Sequence, residues 1–221
     1  MKRHLSHPAS LFRHCTLLGA LVFCGVFSGN ALSQEADPEW PCIQRLVMEV
    51  SPAVMWPLPV EEGMHEQWRE NDELRQLAEE LGDLASYTTV EQQQVEAFAA
   101  SVPEAEKERQ LSLLAVGVLD VTNGVRQQYI RGIKRYTRQQ IEIAGQIEET
   151  LNRISLLDSG NGSDGAAQSL PPEHADLLAT LKWHERVYDQ REHAIRSLCD
   201  QPVELEETLS DVLRDIAQFL P

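Results

Sequence analysis

The chain has 221 residues and a formal net charge of −16 at pH 7. This acidity argues against a nucleic-acid partner, because phosphate binding needs clustered lysine and arginine side chains that displace counterions. The length suits one domain with its own hydrophobic core, and the charge is typical of a soluble protein kept apart from its neighbours by repulsion.

The amino terminus has the three parts of a secretory signal peptide. Basic residues at Lys2, Arg3 and Arg13 precede an apolar run over residues 15–27, and small residues follow at 28–31. The apolar run is about 13 residues long, whereas a membrane-spanning helix needs about 20. A cleaved export signal is therefore favoured over a permanent membrane anchor.

Cleavage after Ala31 and cleavage after Ser33 both fit, and we assign residues 1–33 to the signal. An uncleaved anchor and lipidation of Cys24 are the alternatives. Cleavage removes three basic residues and no acidic one, so the charge moves from −16 to about −19. The sequence thus predicts a periplasmic or secreted protein without a stable membrane span after cleavage.

Two cysteines remain after cleavage, Cys42 and Cys199, because Cys15 and Cys24 leave with the signal. An even pair in an oxidising compartment predicts a structural disulfide, whose long loop stabilises the fold by about 5 kcal/mol on the chain-entropy model. The pair has no Cys-x-x-Cys spacing that would tune a reactive thiolate, and two lone thiols make a poor metal site.

Residues 34–60 form a lead segment rich in proline and tryptophan. Five prolines prevent a continuous helix there: Pro38, Pro41, Pro52, Pro57 and Pro59. Trp40 and Trp56 are expected to pack against the rest of the protein and fill its core or a groove.

Residues 61–221 are predicted to form a helical domain. Apolar steps of three and four predict a helix from Glu61 to about Leu84, and Thr88 or Thr89 caps a short helix that stops before Pro103. A long helix of about 50 residues follows over 104–157, and the alternative is two helices over the same residues, with a bend near Asn123-Gly124.

A glycine- and serine-rich stretch, 158–170, is predicted to be a flexible loop, and Pro172 restarts a helix on an unbroken heptad. Pro202 predicts a turn at 199–202, and the last helix covers 203–220. The fold class is therefore all-α, an antiparallel helical bundle or a long, coiled-coil-like helical hairpin with a proline-rich amino-terminal segment.

Motifs for catalysis, cofactors or metals are missing from the sequence. It has no Gly-x-Ser-x-Gly elbow, no glycine-rich phosphate loop and no His-Glu-x-x-His, so we predict no enzyme activity, cofactor or metal site. His184 lies on a heptad seam, where a partly buried, hydrogen-bonded histidine is expected. The alternative is a ligand- or metal-binding bundle in which His184 acts with Glu185 or Tyr188.

One basic stripe interrupts the acidic sequence between Asp120 and Glu142. Its members are Arg126, Arg131, Lys134, Arg135 and Arg138. The structural interpretation is pairing with the acidic residues of a neighbouring helix: Glu70, Asp72, Glu73, Glu79 and Glu80. The functional interpretation is binding of an anionic lipid headgroup, a polyanion or an acidic partner protein.

A short motif resembles a known group of proteins. Trp40-Pro41-Cys42-Ile43-Gln44-Arg45, followed by Ser51 and Trp56-Pro57, is similar to the opening of a group of uncharacterised secreted proteins of Gram-negative bacteria. The resemblance implies export and a structural role for Cys42, and it implies no activity and no ligand.

Together these features predict an exported, non-enzymatic helical adaptor, scaffold or accessory protein. It would act by contacts with a protein partner, or by self-association, through its helices. The ligand- or metal-binding bundle around His184 is the alternative.

Overall fold

A computed structural model describes residues 37–161 and 172–221, which belong to one compact unit. The predicted signal peptide, 1–33, lies outside the described residues. These residues form helices and irregular segments without a β-strand, so the predicted all-α class is confirmed. No helix within them is long and apolar enough to cross a membrane.

The described residues form six α-helices. They are α1 (Pro52–Met55), α2 (Met64–Gln67), α3 (Asp72–Gly82), α4 (Thr89–Ser101), α5 (Lys107–Asn161) and α6 (Pro172–Ala217). A single 3-10 turn, Glu104–Glu106, leads into α5. The long predicted helix is thus one continuous element.

Helices α5 and α6 form an antiparallel hairpin. The side-chain amide of Gln140 donates to the carbonyl of Tyr188 at 2.9 Å, and the hydroxyl of Tyr136 donates to the carbonyl of Arg191 at 3.1 Å. Residue numbers therefore fall along α6 as they rise along α5, which is the predicted antiparallel arrangement.

The hydrophobic core lies at one end of this hairpin. There α3 and α4 pack against the beginning of α5 and the end of α6, and Trp56 and Trp68 are buried with them. The core includes Leu74, Leu81, Val95, Phe98, Leu111, Leu114, Leu119, Leu209, Leu213 and Ile216. Close packing of α3 on α5 depends on Gly82 and Gly117, because an added Cβ would lie 2.6 Å from Val121 or 2.8 Å from Ala78.

The helix expected from Glu61 onward is divided in two. Helix α2 ends at Gln67, and α3 begins anew after Asn71, whose side-chain oxygen accepts hydrogen bonds from the backbone N–H groups of Glu73 (3.0 Å) and Leu74 (3.1 Å). An asparagine in extended conformation that caps these donors is a strong start signal for a new helix. The expected capping threonine of α4 is Thr88.

The turn predicted at 199–202 is absent, because α6 continues through Pro202. Proline removes one backbone donor from a helix, but Pro202 and Cys199 are both buried here. The side chain of Gln44 also donates to the carbonyl of Cys199. Tertiary packing therefore outweighs the local preference of proline.

The loop predicted over 158–170 starts later than expected, since α5 remains helical through Asn161. The rest of that loop lies outside the described residues. On its far side the helix restarts at Pro172, as the sequence predicted.

Residues 37–51 of the lead segment form no helix and lie against the helices. We call these residues the strap. No residue from 37 to 55 is buried, and the first buried side chain is that of Trp56. A disulfide joins Cys42 to Cys199 across a Cα–Cα distance of 5.5 Å, so the predicted pairing is confirmed. The strap is therefore held by this bond and by polar contacts rather than by a core of its own.

Two glycines of α5 should respond oppositely to alanine. Gly117→Ala would place its Cβ 3.0 Å from the Trp68 ring and 2.8 Å from Ala78, whereas Gly145 has open space around it. We expect Gly145→Ala to raise the free energy of unfolding by about 1 kcal/mol and Gly117→Ala to lower it by about 1–3 kcal/mol. Urea unfolding measures both, and equal stability of the two variants would contradict the packing described.

Reduction of the disulfide should release the strap before the helices unfold. We expect no free thiol in the native protein, and rapid tryptic cleavage after Arg45, the strap's one basic residue, once dithiothreitol is added. The oxidised protein is the control and should resist cleavage at that bond. First cuts within α3–α6 of the reduced protein would show instead that the bond holds the whole fold.

Candidate functional site

The basic stripe of α5 divides into residues with three different surroundings. Arg126 is only 4% exposed, and its guanidinium donates to the carbonyl of Val47 at 2.7 Å and 3.1 Å and pairs with Glu206. A buried charge needs such hydrogen-bonded partners to offset its lost hydration. Arg126 therefore joins the strap, α5 and α6, and it is a structural residue.

Two further members of the stripe hold the beginning of the strap. The ammonium of Lys134 lies 2.7 Å from the Asp37 carboxylate, and the guanidinium of Arg138 lies 2.8 Å from that of Glu39. A turn presents both acids, since the N–H of Trp40 donates to the carbonyl of Asp37 at 2.9 Å.

The stripe was expected to pair within the protein, with the acidic residues Glu70, Asp72, Glu73, Glu79 and Glu80. Three of its members do pair within the protein, but the expected partners are wrong: the acids are Asp37, Glu39 and Glu206, which lie in the strap and on α6. Helix α3 packs on an earlier part of α5, where Ala78 meets Gly117 and Gly82 meets Val121.

Arg131 and Arg135 are the remaining members, and both are exposed. Within residues 37–161 and 172–221, neither makes a hydrogen bond or an ion pair. No aspartate or glutamate stands between residues 121 and 141, so neither arginine has an acidic neighbour on its own helix. These two are the positive charges of the stripe that the fold leaves uncompensated.

His184 is half-buried on the seam between α5 and α6, as its heptad position predicted. Its Nδ1 is buried without a hydrogen-bond partner, so the expected hydrogen bond is absent at that atom. Glu185 is exposed, and no group of three or more His, Cys, Asp or Glu side chains in the described part of the chain is placed to hold a metal ion.

Sequence reasoning missed a cluster around Asp120. One carboxylate oxygen of Asp120 lies 2.8 Å from Nδ1 of His65, and the other accepts from the indole N–H of Trp68 at 2.9 Å. The guanidinium of Arg69 stacks on Trp68 at 4.0 Å. A lone acid directly after the buried run 111–119 was the signal that could have identified this cluster.

The Asp120 cluster lines a polar cleft of about 570 Å³, whose other wall is the end of the strap around Ser51. Both oxygens of Asp120 are already hydrogen-bonded within the protein. The cluster therefore fastens α2 and Trp68 to α5.

Beyond the core, residues 138–161 of α5 and 172–195 of α6 form what we call the distal hairpin. Its seam is half-buried at Ile143, Ile147 and Ile154, because no third helix of the described chain covers it. Five large apolar side chains of the distal hairpin are exposed: Ile141, Leu151, Leu156, Leu178 and Trp183.

Contact with Lys134 and the N–H of Glu39 lowers the pKa of Asp37 below its ordinary value of 3.8. A lowered pKa means that this pairing stabilises the strap above pH 3.8 and is lost as the pH falls through the folded-state pKa. We expect Lys134→Met to return the Asp37 pKa towards 3.8, as measured by NMR titration of the carboxyl carbon. Lys182→Met, on an exposed lysine of α6, is the control and should leave it unchanged.

Comparison of the chain with protein-family models, with curated proteins and with solved structures gave no match.

Proposed function

We propose that this protein is an exported, non-enzymatic helical adaptor or scaffold that acts by protein–protein contacts through its distal hairpin. The observation that carries the proposal is the set of exposed apolar side chains on that hairpin. Leu156 is 73% exposed and Trp183 is 59% exposed, on helices that extend past the hydrophobic core.

A two-helix seam supports this assignment because it leaves apolar surface for a third helix to cover. Burial of one large apolar side chain contributes about 1.5–3 kcal/mol, and exposed tryptophans are common energetic centres of protein interfaces. Trp183 and the apolar residues around the seam offer several such contacts. An amphipathic helix laid along the hairpin is the recognition mode that fits.

Export is supported by the amino-terminal pattern and by the disulfide. Basic residues, an apolar run and small residues precede the strap, and the bond between Cys42 and Cys199 is of the kind that persists in oxidising compartments. Both features favour the periplasm or the extracellular space as the place where the adaptor acts.

The test is a photoreactive phenylalanine analogue placed at position 183, and in a second variant at 156, in the native host. We expect irradiation to give a discrete protein adduct from at least one of these positions, because both side chains are exposed on the hairpin. Mass spectrometry of the adduct then distinguishes a second copy of this chain from another protein.

The control carries the analogue at Glu204, an exposed polar position of α6 outside the distal hairpin. Trp183→Ala should change the free energy of unfolding by less than about 0.5 kcal/mol, so that lost contact is not mistaken for lost folding. No adduct at 183 or 156 above the level at 204 would refute the role of the distal hairpin.

A further inference from the structure

Four cations of α5 share one face of the helix. At 3.6 residues per turn, Arg131, Lys134, Arg135 and Arg138 lie within about 100° of the circumference. No acid of α5 interrupts them between residues 121 and 141. We refer to these four residues as the cationic row, which excludes the buried Arg126.

An acidic turn of the strap already occupies part of the cationic row. Asp37 binds Lys134 and Glu39 binds Arg138, so two carboxylates face four cations and two positive charges remain, on Arg131 and Arg135. In a protein with a net charge of −16, a local positive surplus is a distinct electrostatic feature.

The two ion pairs of the row are open to solvent. The side chains of Lys134 and Asp37 are 25% and 34% exposed, and those of Arg138 and Glu39 are 53% and 31% exposed. Solvated pairs of this kind contribute little to stability, so replacing one carboxylate by another costs little free energy. Other carboxylates can therefore replace Asp37 and Glu39 as partners of the cationic row at little cost in free energy.

We infer that the cationic row is a docking site for an acidic peptide segment of a partner protein, which binds Arg131 and Arg135 and competes with Asp37 and Glu39. The turn of the strap shows the chemistry that the row accepts, two carboxylates two residues apart. A flat anionic membrane fits less well, because its headgroups would also meet the strap acids and the acidic protein around them. Arg131 and Arg135, which would bind the peptide, lie outside the distal hairpin, so either proposal can fail alone.

The experiment measures binding of a fluorescein-labelled octapeptide of alternating glutamate and glycine to the mature protein, by anisotropy at about 50 mM salt, where screening is modest. We expect Arg131→Glu with Arg135→Glu to weaken binding at least about tenfold, since two attractions become repulsions. Asp37→Asn with Glu39→Gln should strengthen it about threefold or more, because Lys134 and Arg138 lose their competing partners.

Arg186→Glu with Arg196→Glu is the matched control, because it makes the same charge change at exposed residues of α6. Binding in this control should stay within about twofold of wild type. A glutamine–glycine peptide should not bind, and vesicles with anionic lipid should bind more weakly than the acidic peptide.

Three results would overturn the inference. Equal losses of peptide affinity in the Arg131→Glu/Arg135→Glu variant and in the Arg186→Glu/Arg196→Glu control would show that only the net charge of the protein matters. Failure of the acidic peptide to bind both wild type and the Asp37→Asn/Glu39→Gln variant would remove the site. Binding to anionic vesicles but not to the peptide would replace the peptide with a membrane surface.

Discussion

A series of polar side chains along α5 binds successive parts of the chain that precedes α3. Asp120 binds His65 and Trp68, Asn123 binds Val50, and Arg126 binds the carbonyl of Val47. An irregular segment cannot pair its own backbone groups in a ladder, so those groups need donors and acceptors from elsewhere. Helix α5 supplies them at intervals of about one turn, and its continuity keeps them in line.

The same helix serves two kinds of packing on different faces. Around Gly117 it meets α3 and Trp68 through close apolar contacts, whereas along the strap it makes hydrogen bonds and ion pairs to residues that are exposed or half-buried. Apolar burial stabilises the core, but it does not depend on the exact orientation of the groups. Polar contacts depend on orientation, so they fix the position of a segment while adding little net stability. The strap is therefore accurately placed but weakly anchored, apart from its disulfide.

Periodicity was enough to predict the helices, since the apolar steps of α5 and α6 reflect the faces that pack. It could not predict partners for the basic stripe, because Asp37 and Glu39 lie 97 and 99 residues before the side chains they bind. Local preference also failed at Pro202, where the helix continues through a buried proline, and the Asn71 cap that divides α2 from α3 was not predicted. The partners of the stripe, by contrast, are contacts distant in sequence, which leave no repeating pattern.

The bond between Cys42 and Cys199 also sets an order of events. Its two cysteines are 157 residues apart, and at the usual rate of synthesis the second follows the first by about 10 to 30 s. For that time Cys42 is a thiol without its partner, and its thiolate can attack other disulfides. The bridge can close only after the chain has been made as far as Cys199. An oxidised Cys42–Cys199 bond is therefore a chemical record that synthesis has passed Cys199 and that the strap has reached α6.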